Sequence, residues 1–214
     1  MIQEICNFTK NNINSSHLIK YNELINLDLS NYLYNEEIQT RTSFRNFKKN
    51  TRTDKTKIKN ILSDLNNIKN KILNISNCVD IGFLDNKKTL SETNESPIYI
   101  FIDGEFENIP LASKFSRENL FIQSEMHDAD GVVFFLWNLD KFNNILSKPN
   151  FIYREMIMIS ALLGQLTSII AIHNELIGTP FAGIIQSEWE SLISSHKNKR
   201  PLFAYAFTSN KGGD

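Results

Sequence analysis

Two cysteines in 214 residues, Cys6 and Cys78, are too few and too far apart for a disulfide scaffold or a C-x-x-C spacing. A reducing cytoplasm is the expected compartment. Neither sign of charge is in excess: 23 Lys plus Arg stand against 24 Asp plus Glu. A chain so near neutrality has no global field to hold nucleic acid or a membrane surface, and neither partner is expected. The opening residues, MIQEICNFTKNNINSSH, lack the basic start and unbroken apolar stretch of a signal peptide, so no export is expected. His17, His127, His173 and His196 show no paired ligand spacing such as H-E-x-x-H, and no metal is expected. No G-x-S-x-G and no phosphate-cradling glycine loop occurs, which leaves hydrolase and nucleotide-kinase chemistry without a motif. There is no internal repeat.

What is present is enough apolar sequence, 41%, for one good core in a single large domain. Residues 1–40 mix polar clusters with short apolar runs and read as an arm or short helices lying on a body formed by residues 41–214. Ile58, Ile61, Leu62, Leu65, Ile68 and Ile72 recur at the spacing of one buried helix face, with Thr56 or Asp54 as the cap. From Asp80 to Ser96 the chain is polar and rich in turn formers, including Gly82, Asp85, Asn86 and Asn94, and reads as a loop. Ile98–Ile102, Val132–Trp137 and Leu202–Phe207 read as strands, being aromatic and β-branched.

Between the second and third of these lies an apolar helix from Tyr153 to about Ile177. Its most apolar part, Met156 to Ile172, contains Ser160, Gln165, Thr167 and Ser168 and is bounded by charged residues, which suits a core helix better than a membrane span. Apolar residues cover nearly its whole circumference, as in a helix surrounded by neighbours. At 1.5 Å per residue it spans roughly 35 Å, long enough to reach a partner subunit.

The sharpest local signal is RTSFR, where Arg41, Ser43 and Arg45 alternate. In an extended segment all three project to one face, and two guanidinium forks beside a hydroxyl can grip a phosphate. The bland alternative is a solvated basic stretch, since Lys48, Lys49, Arg52, Lys55 and Lys57 follow.

An R-x-S-x-R-x-F pattern ahead of an amphipathic helix resembles the opening of the nitroreductase superfamily. The stretch YREMIMISALLGQLTSIIAIHNELIGTPFAG, Tyr153 to Gly183, is similar to the SagB-type dehydrogenases of that superfamily. In those, a Tyr-Arg pair opens the core helix, a Gln follows about three turns on, and an Ala-Gly pair lies at the flavin. Tyr153, Arg154, Gln165, Ala182 and Gly183 stand at the matching places. The resemblance covers about Asn31 to Leu73 and Gly131 to Lys211. It implies an α+β fold with an antiparallel-type central sheet flanked by helices around a long buried core helix, in a dimer. It further implies FMN, with Arg41, Ser43, Arg45 and Lys211 on the phosphate, Gln165 and Gly183 near the ring, and Lys148 as the candidate base.

The implied activity is an FMN-dependent dehydrogenase or oxidase that converts azolines to azoles in a ribosomally made peptide. The setting would be a homodimer or a heteromeric peptide-modifying complex. The sequence also departs from the pattern. The stretch NISNCVDIGFLDNKKTLSETNESP is short for the glycine-rich ring loop, no Tyr adjoins Lys148, and Glu175 stands where the helix-ending Gly is usual, with Gly178 coming later. Two alternatives stay open: a degenerate, non-catalytic subunit that scaffolds such a complex, and a general NAD(P)H-dependent nitro or quinone reductase.

Overall fold

The computed structural model describes residues 19–20, 23, 43–91, 96–143, 149–193 and 198–209. The helix α1 (Lys55–Ile72) starts because the carboxylate of Asp54 accepts the Thr56 backbone N–H at 2.6 Å. Its apolar stripe, Ile58, Ile61, Leu62, Leu65, Ile68 and Ile72, is buried as the spacing requires. At its far end the Lys20 N–H donates to the Ile72 carbonyl at 2.7 Å, and Ile19 is buried beside Leu73. The remainder of the expected N-terminal arm lies outside the described residues.

Among the described residues six strands form one antiparallel sheet: β1 (Val79–Asp85), β2 (Ile98–Ile102), β3 (Glu105–Asn108), β4 (Gly131–Asn138), β5 (Leu176–Phe181) and β6 (Lys199–Ser209), in the order β3-β2-β1-β4-β6-β5. The three strands expected from aromatic and β-branched runs are β2, β4 and β6. The loop expected from Asp80 to Ser96 is corrected: its first part is β1, a central strand between β2 and β4. Gly82, which reads as a turn residue, is there to make room. A Cβ at Gly82 would lie 2.1 Å from the ring of Phe134, its cross-strand partner on β4. The second correction is β5. Its first residues, Leu176 and Ile177, fall in the stretch read as the end of the long helix, and Pro180 fits because the strand is at the sheet edge, where a missing N–H is tolerated.

The helix read from Tyr153 to about Ile177 is α3 (Pro149–His173), preceded by the short α2 (Leu139–Asn143). It stops where Asn174 and Glu175 fold back, with Glu175 in the left-handed region at φ 58° and its N–H on the Ile172 carbonyl at 2.9 Å. Glu175 therefore takes the position that usually demands glycine, and Lys57 pairs with its carboxylate at 2.7 Å. The stretch Tyr153–His173 is long and apolar enough to cross a membrane, yet 72% of its most apolar window is buried within the protein. Its polar residues serve the interior: Ser160 accepts the indole N–H of Trp137 at 2.7 Å, and the Thr167 hydroxyl returns to the Leu163 carbonyl at 2.7 Å.

The sheet separates two cores. On one face α1 and α3 pack against Ile81, Phe83, Val133, Phe135, Tyr205 and Phe207. On the other, Leu84, Val132, Phe134 and Ala204 meet Phe47, Phe121, Phe181 and Trp189, the last from α4 (Gln186–Leu192).

Asp130, 1% exposed, ties these parts together at the start of β4. It accepts from the hydroxyls of Thr51 at 2.6 Å and Thr53 at 2.8 Å, and from the Ser209 N–H at 3.2 Å. The one hydroxyl proton of Thr51 faces two acceptors that cannot donate, Asp130 and the Lys48 carbonyl at 2.9 Å, so the 2.8 Å contact between Thr51 and Thr208 is donated by Thr208. Asp130→Ala takes the acceptor from one buried donor, Thr53, and from two half-buried ones, Thr51 and Ser209, and lowers stability by about 2 kcal/mol, read as a fall in the urea midpoint at unchanged slope.

Glu155, in the first turns of α3, is 4% exposed, and its Oε2 has no partner among the described residues. Burial pushes its carboxyl above the ordinary value of 4.5, against a smaller opposing pull from Arg154. A raised acid favours the folded state only while protonated, so the wild-type protein loses stability as pH rises above 4.5 towards the folded value. Glu155→Gln stabilises at neutral pH, and the gain disappears below pH 4.5; denaturant titrations at several pH values measure it.

Candidate functional site

The segment after residue 42 runs without regular secondary structure, through a turn at residues 49–50, to the cap of α1. Phe44 and Phe47 turn inward, meet edge-to-face at 5.8 Å and join the core beneath the second sheet face. Ser43 and Arg45 are exposed. The alternation in RTSFR thus holds for these two residues; Arg41 lies outside the described residues. The segment is pinned to the sheet edge by the Phe44 N–H, which donates to the Gly178 carbonyl of β5 at 3.1 Å. This places the expected phosphate grip beside the strand that leads to Ala182 and Gly183.

Arg45 faces Glu125 at 3.9 Å, with both side chains substantially solvated. Such a pair contributes at most about 1 kcal/mol, so an incoming anion can compete for the guanidinium. Glu125 belongs to the single-turn helix Ser124–His127, and the residues just before it reach Gly183. The Ile122 N–H donates to the Gly183 carbonyl at 2.9 Å, and Phe121 bridges to Ile184. The end of the Gln123 side chain abuts Gly183: a Cβ there would be 2.0 Å from Oε1. That Oε1 is buried and has no partner among the described residues. Beside it Ile122 is 73% exposed.

The structure therefore brings Ser43, Arg45 and Gly183 to one side of the sheet, joined through residues 122–125. Gln165 is half-buried on α3, in the layer that packs the opposite face. Tyr153 and Arg154, at the start of that helix, are exposed. Lys148 and Lys211 lie outside the described residues. Gln123 and Glu125 escaped sequence reasoning, because the stretch FIQSEM has no motif and acquires meaning only from its contact with Gly183. The arrangement offers cationic and hydroxyl donors for an anion at one end and an orphaned acceptor at the other. Among the described residues no group of three or more His, Cys, Asp or Glu side chains is placed to hold a metal ion.

No family model matches the chain, and no curated protein matches it. Solved structures do. One, assigned as a nitroreductase from Anabaena variabilis, aligns with TM-score 0.62 and 15% identity over 82% of this chain. This chain spans only 38% of that protein's length. A chain of the E. coli microcin synthetase McbBCD complex with truncated pro-MccB17 bound aligns with TM-score 0.58 and 11% identity, covering 88% of this chain and 82% of that one. A protein assigned as an NAD(P)H:FMN oxidoreductase from Staphylococcus epidermidis aligns with TM-score 0.54 and 9% identity, covering 83% and 86%. The chain has a nitroreductase-like fold, with an antiparallel six-stranded sheet and one long buried apolar helix.

Two glycines at the site differ in what a methyl would meet. At Gly178 the Cβ would sit 2.0 Å from the Ala206 backbone carbonyl, which cannot move without breaking the β5–β6 ladder. At Gly183 it meets only the end of a flexible side chain. Gly178→Ala costs about 3 kcal/mol or prevents folding, whereas Gly183→Ala costs about 1 kcal/mol; thermal melts of the two variants side by side check the ordering.

Proposed function

We propose that this protein is an FMN-dependent dehydrogenase or oxidase acting on a ribosomally synthesised peptide, converting azolines to azoles within a peptide-modifying complex in the cytoplasm. The observation that carries the reading is the convergence of Ser43, Arg45 and Gly183 on one side of a nitroreductase-like sheet. The similarity to a chain of a microcin synthetase complex supports the peptide and the assembly. In this reading Ser43 and Arg45 hold the FMN phosphate together with Arg41 and Lys211. The donors fit: an exposed hydroxyl and an exposed guanidinium, tied only to a solvated carboxylate, are what a phosphate recruits. At the other end the unsatisfied Oε1 of Gln123 fits an N–H on the edge of a planar ring lying near Gly183.

FMN, when bound, supplies the hydride acceptor. The residues of the chain have the remaining tasks. Gly183 shapes the ring site, a homodimeric or heteromeric partner completes it, and a base within hydrogen-bond reach removes the substrate's ring proton; Gln165, across the sheet in the same chain, reaches such a site only from a homodimeric partner. Lys148 is proposed as that base.

A second reading, a non-catalytic subunit of the same kind of complex, is favoured by one observation: the Gln123 side chain fills the space over Gly183 that a ring would approach.

The absorption spectrum of the purified protein separates them. Yellow protein with flavin bands, or uptake of added FMN, is the expected result, and a colourless protein that takes up none sinks the enzymatic reading. In the flavin-loaded protein Ser43→Ala with Arg45→Ala weakens FMN binding by roughly 10- to 100-fold, the worth of one or two charge-assisted hydrogen bonds. Bleaching by an azoline peptide but not by NAD(P)H identifies the peptide dehydrogenase; the reverse pattern identifies a general reductase.

A further inference from the structure

Between β5 and α4 the chain passes through Ala182, Gly183 and Ile184, and residues 120–122 run antiparallel beside it. Two backbone bonds flank the opposed pair Phe121 and Ile184: the Ile122 N–H donates to the Gly183 carbonyl at 2.9 Å, and the Ile185 N–H to the Leu120 carbonyl at 3.0 Å. In an antiparallel ladder that pattern sets Ile122 directly opposite Gly183. Phe121 and Ile184 turn into the core, at 3% and 8% exposure. The alternation that takes them inward turns Ile122 outward. A cross-strand side chain would ordinarily cover it, but its partner is a glycine. Ile122 is accordingly 73% exposed, the most of any large apolar residue described.

The strip around Ile122 is apolar and uncharged. Ala182 is exposed and Ile185 half-buried. Neither strand of the ribbon carries a charged residue, the sequence being LFIQS from Leu120 to Ser124 and FAGIIQ from Phe181 to Gln186. Glu125 comes only after that, and it faces Arg45 at 3.9 Å. A lone exposed aliphatic residue is ordinary on a protein surface. This one is different in its place, because its backbone is bonded to Gly183. An isoleucine opposite a glycine makes a step, high at Ile122 and low at Gly183, and in the free chain the end of Gln123 occupies the low side. A planar group that takes its place has Ile122 at its edge, and whatever stacks on the outer face of that group meets the end of the isoleucine side chain.

We propose that Ile122, with Ala182 and Ile185, selects substrate peptides that carry an apolar residue next to the azoline ring. The apolar neighbour packs on Ile122. A charged neighbour loses hydration there, and the ribbon holds no countercharge to replace it. The proposal rests on the peptide-modifying reading for the identity of the ligand, and it adds which peptides the site accepts. None of the three residues is among those assigned to the FMN phosphate, so cofactor binding and peptide preference are separable.

The test is fluorescence anisotropy on the full chain, with and without added FMN, using fluorescein-labelled pentapeptides with a central thiazole. The thiazole is already oxidised, so binding is read without turnover. The residues flanking it are leucine, or serine, glutamate or lysine in counterpart peptides. The leucine peptide binds roughly tenfold or more tightly than the others. Ile122→Ser abolishes that preference and Ile122→Val keeps it, while FMN affinity, read from flavin fluorescence, is the same in both variants as in the parent chain. Ile122 is exposed, so both variants fold, which circular dichroism checks. Equal binding of the leucine and serine peptides overturns the proposal, as does binding of none of them or a preference that survives Ile122→Ser. A loss of FMN affinity in Ile122→Ser also overturns it, because the residue would then lie against the cofactor. A protein that binds FMN without any peptide preference leaves the enzyme standing and refutes this surface. One that takes up no flavin and keeps the leucine preference refutes the enzyme and supports the surface.

Discussion

Asp130 sets the position of everything that makes the nitroreductase-like sheet a candidate site. One buried carboxylate gathers the hydroxyls of Thr51 and Thr53 and the N–H of Ser209, so the entry to α1 and the end of β6 meet at the first turn before β4. With residues 51–53 fixed there, the segment before them has little choice of path. It runs back along the β5 edge, where Phe44 binds Gly178 and Phe47 enters the core, leaving Ser43 and Arg45 outward. A charge buried to 1% exposure is tolerated only because each of its hydrogen bonds is made by the groups that need placing.

The two cores have different duties. The face covered by α1 and α3 is nearly all aliphatic and aromatic packing, with Trp137 and Ser160 as a local polar pair. The other face carries the irregular segments: residues 43–53, the turns between 109 and 130, and the return through Gly183 to α4. These segments have short regular elements of their own, so they hold position through anchors such as Phe47, Phe121 and Trp189. The aromatic contacts among Phe121, Phe134, Phe181 and Trp189, at centroid distances of 4.7–6.2 Å, form the rigid floor on which the candidate residues stand.

Legibility follows from range. The helix α1 is plain in the sequence because its cap, Asp54, and its apolar stripe are local, and β2, β4 and β6 announce themselves by composition. The strand β1 is hidden because Gly82 looks like a turn residue until Phe134 is seen to occupy the space where its side chain would be. The strand β5 is hidden by Gly178 and Pro180, both of which an edge position and a close backbone neighbour explain. At the candidate site the exposed pair Ser43 and Arg45 is legible from alternation in RTSFR. The turn that connects Arg45 to Gly183 is not, since Glu125 and Gln123 are some eighty residues from the first and sixty from the second. Only the fold brings them together.

Gln123 is where the enzymatic and scaffolding readings part, and magnitudes decide how much weight it can bear. Its carboxamide covers Gly183, yet the contact is made by the end of a side chain with several rotatable bonds, and its Oε1 receives no hydrogen bond among the described residues in return. A rotamer change in such a side chain costs about 1 kcal/mol. A ligand that satisfies the orphaned acceptor returns a similar amount, about 1 kcal/mol for a neutral hydrogen bond. The cover is thus poised near balance: it is too weak to bar a planar ligand that brings an N–H, and enough to disfavour one that does not. The Gln123 cover over Gly183 therefore favours the scaffolding reading by only a small margin.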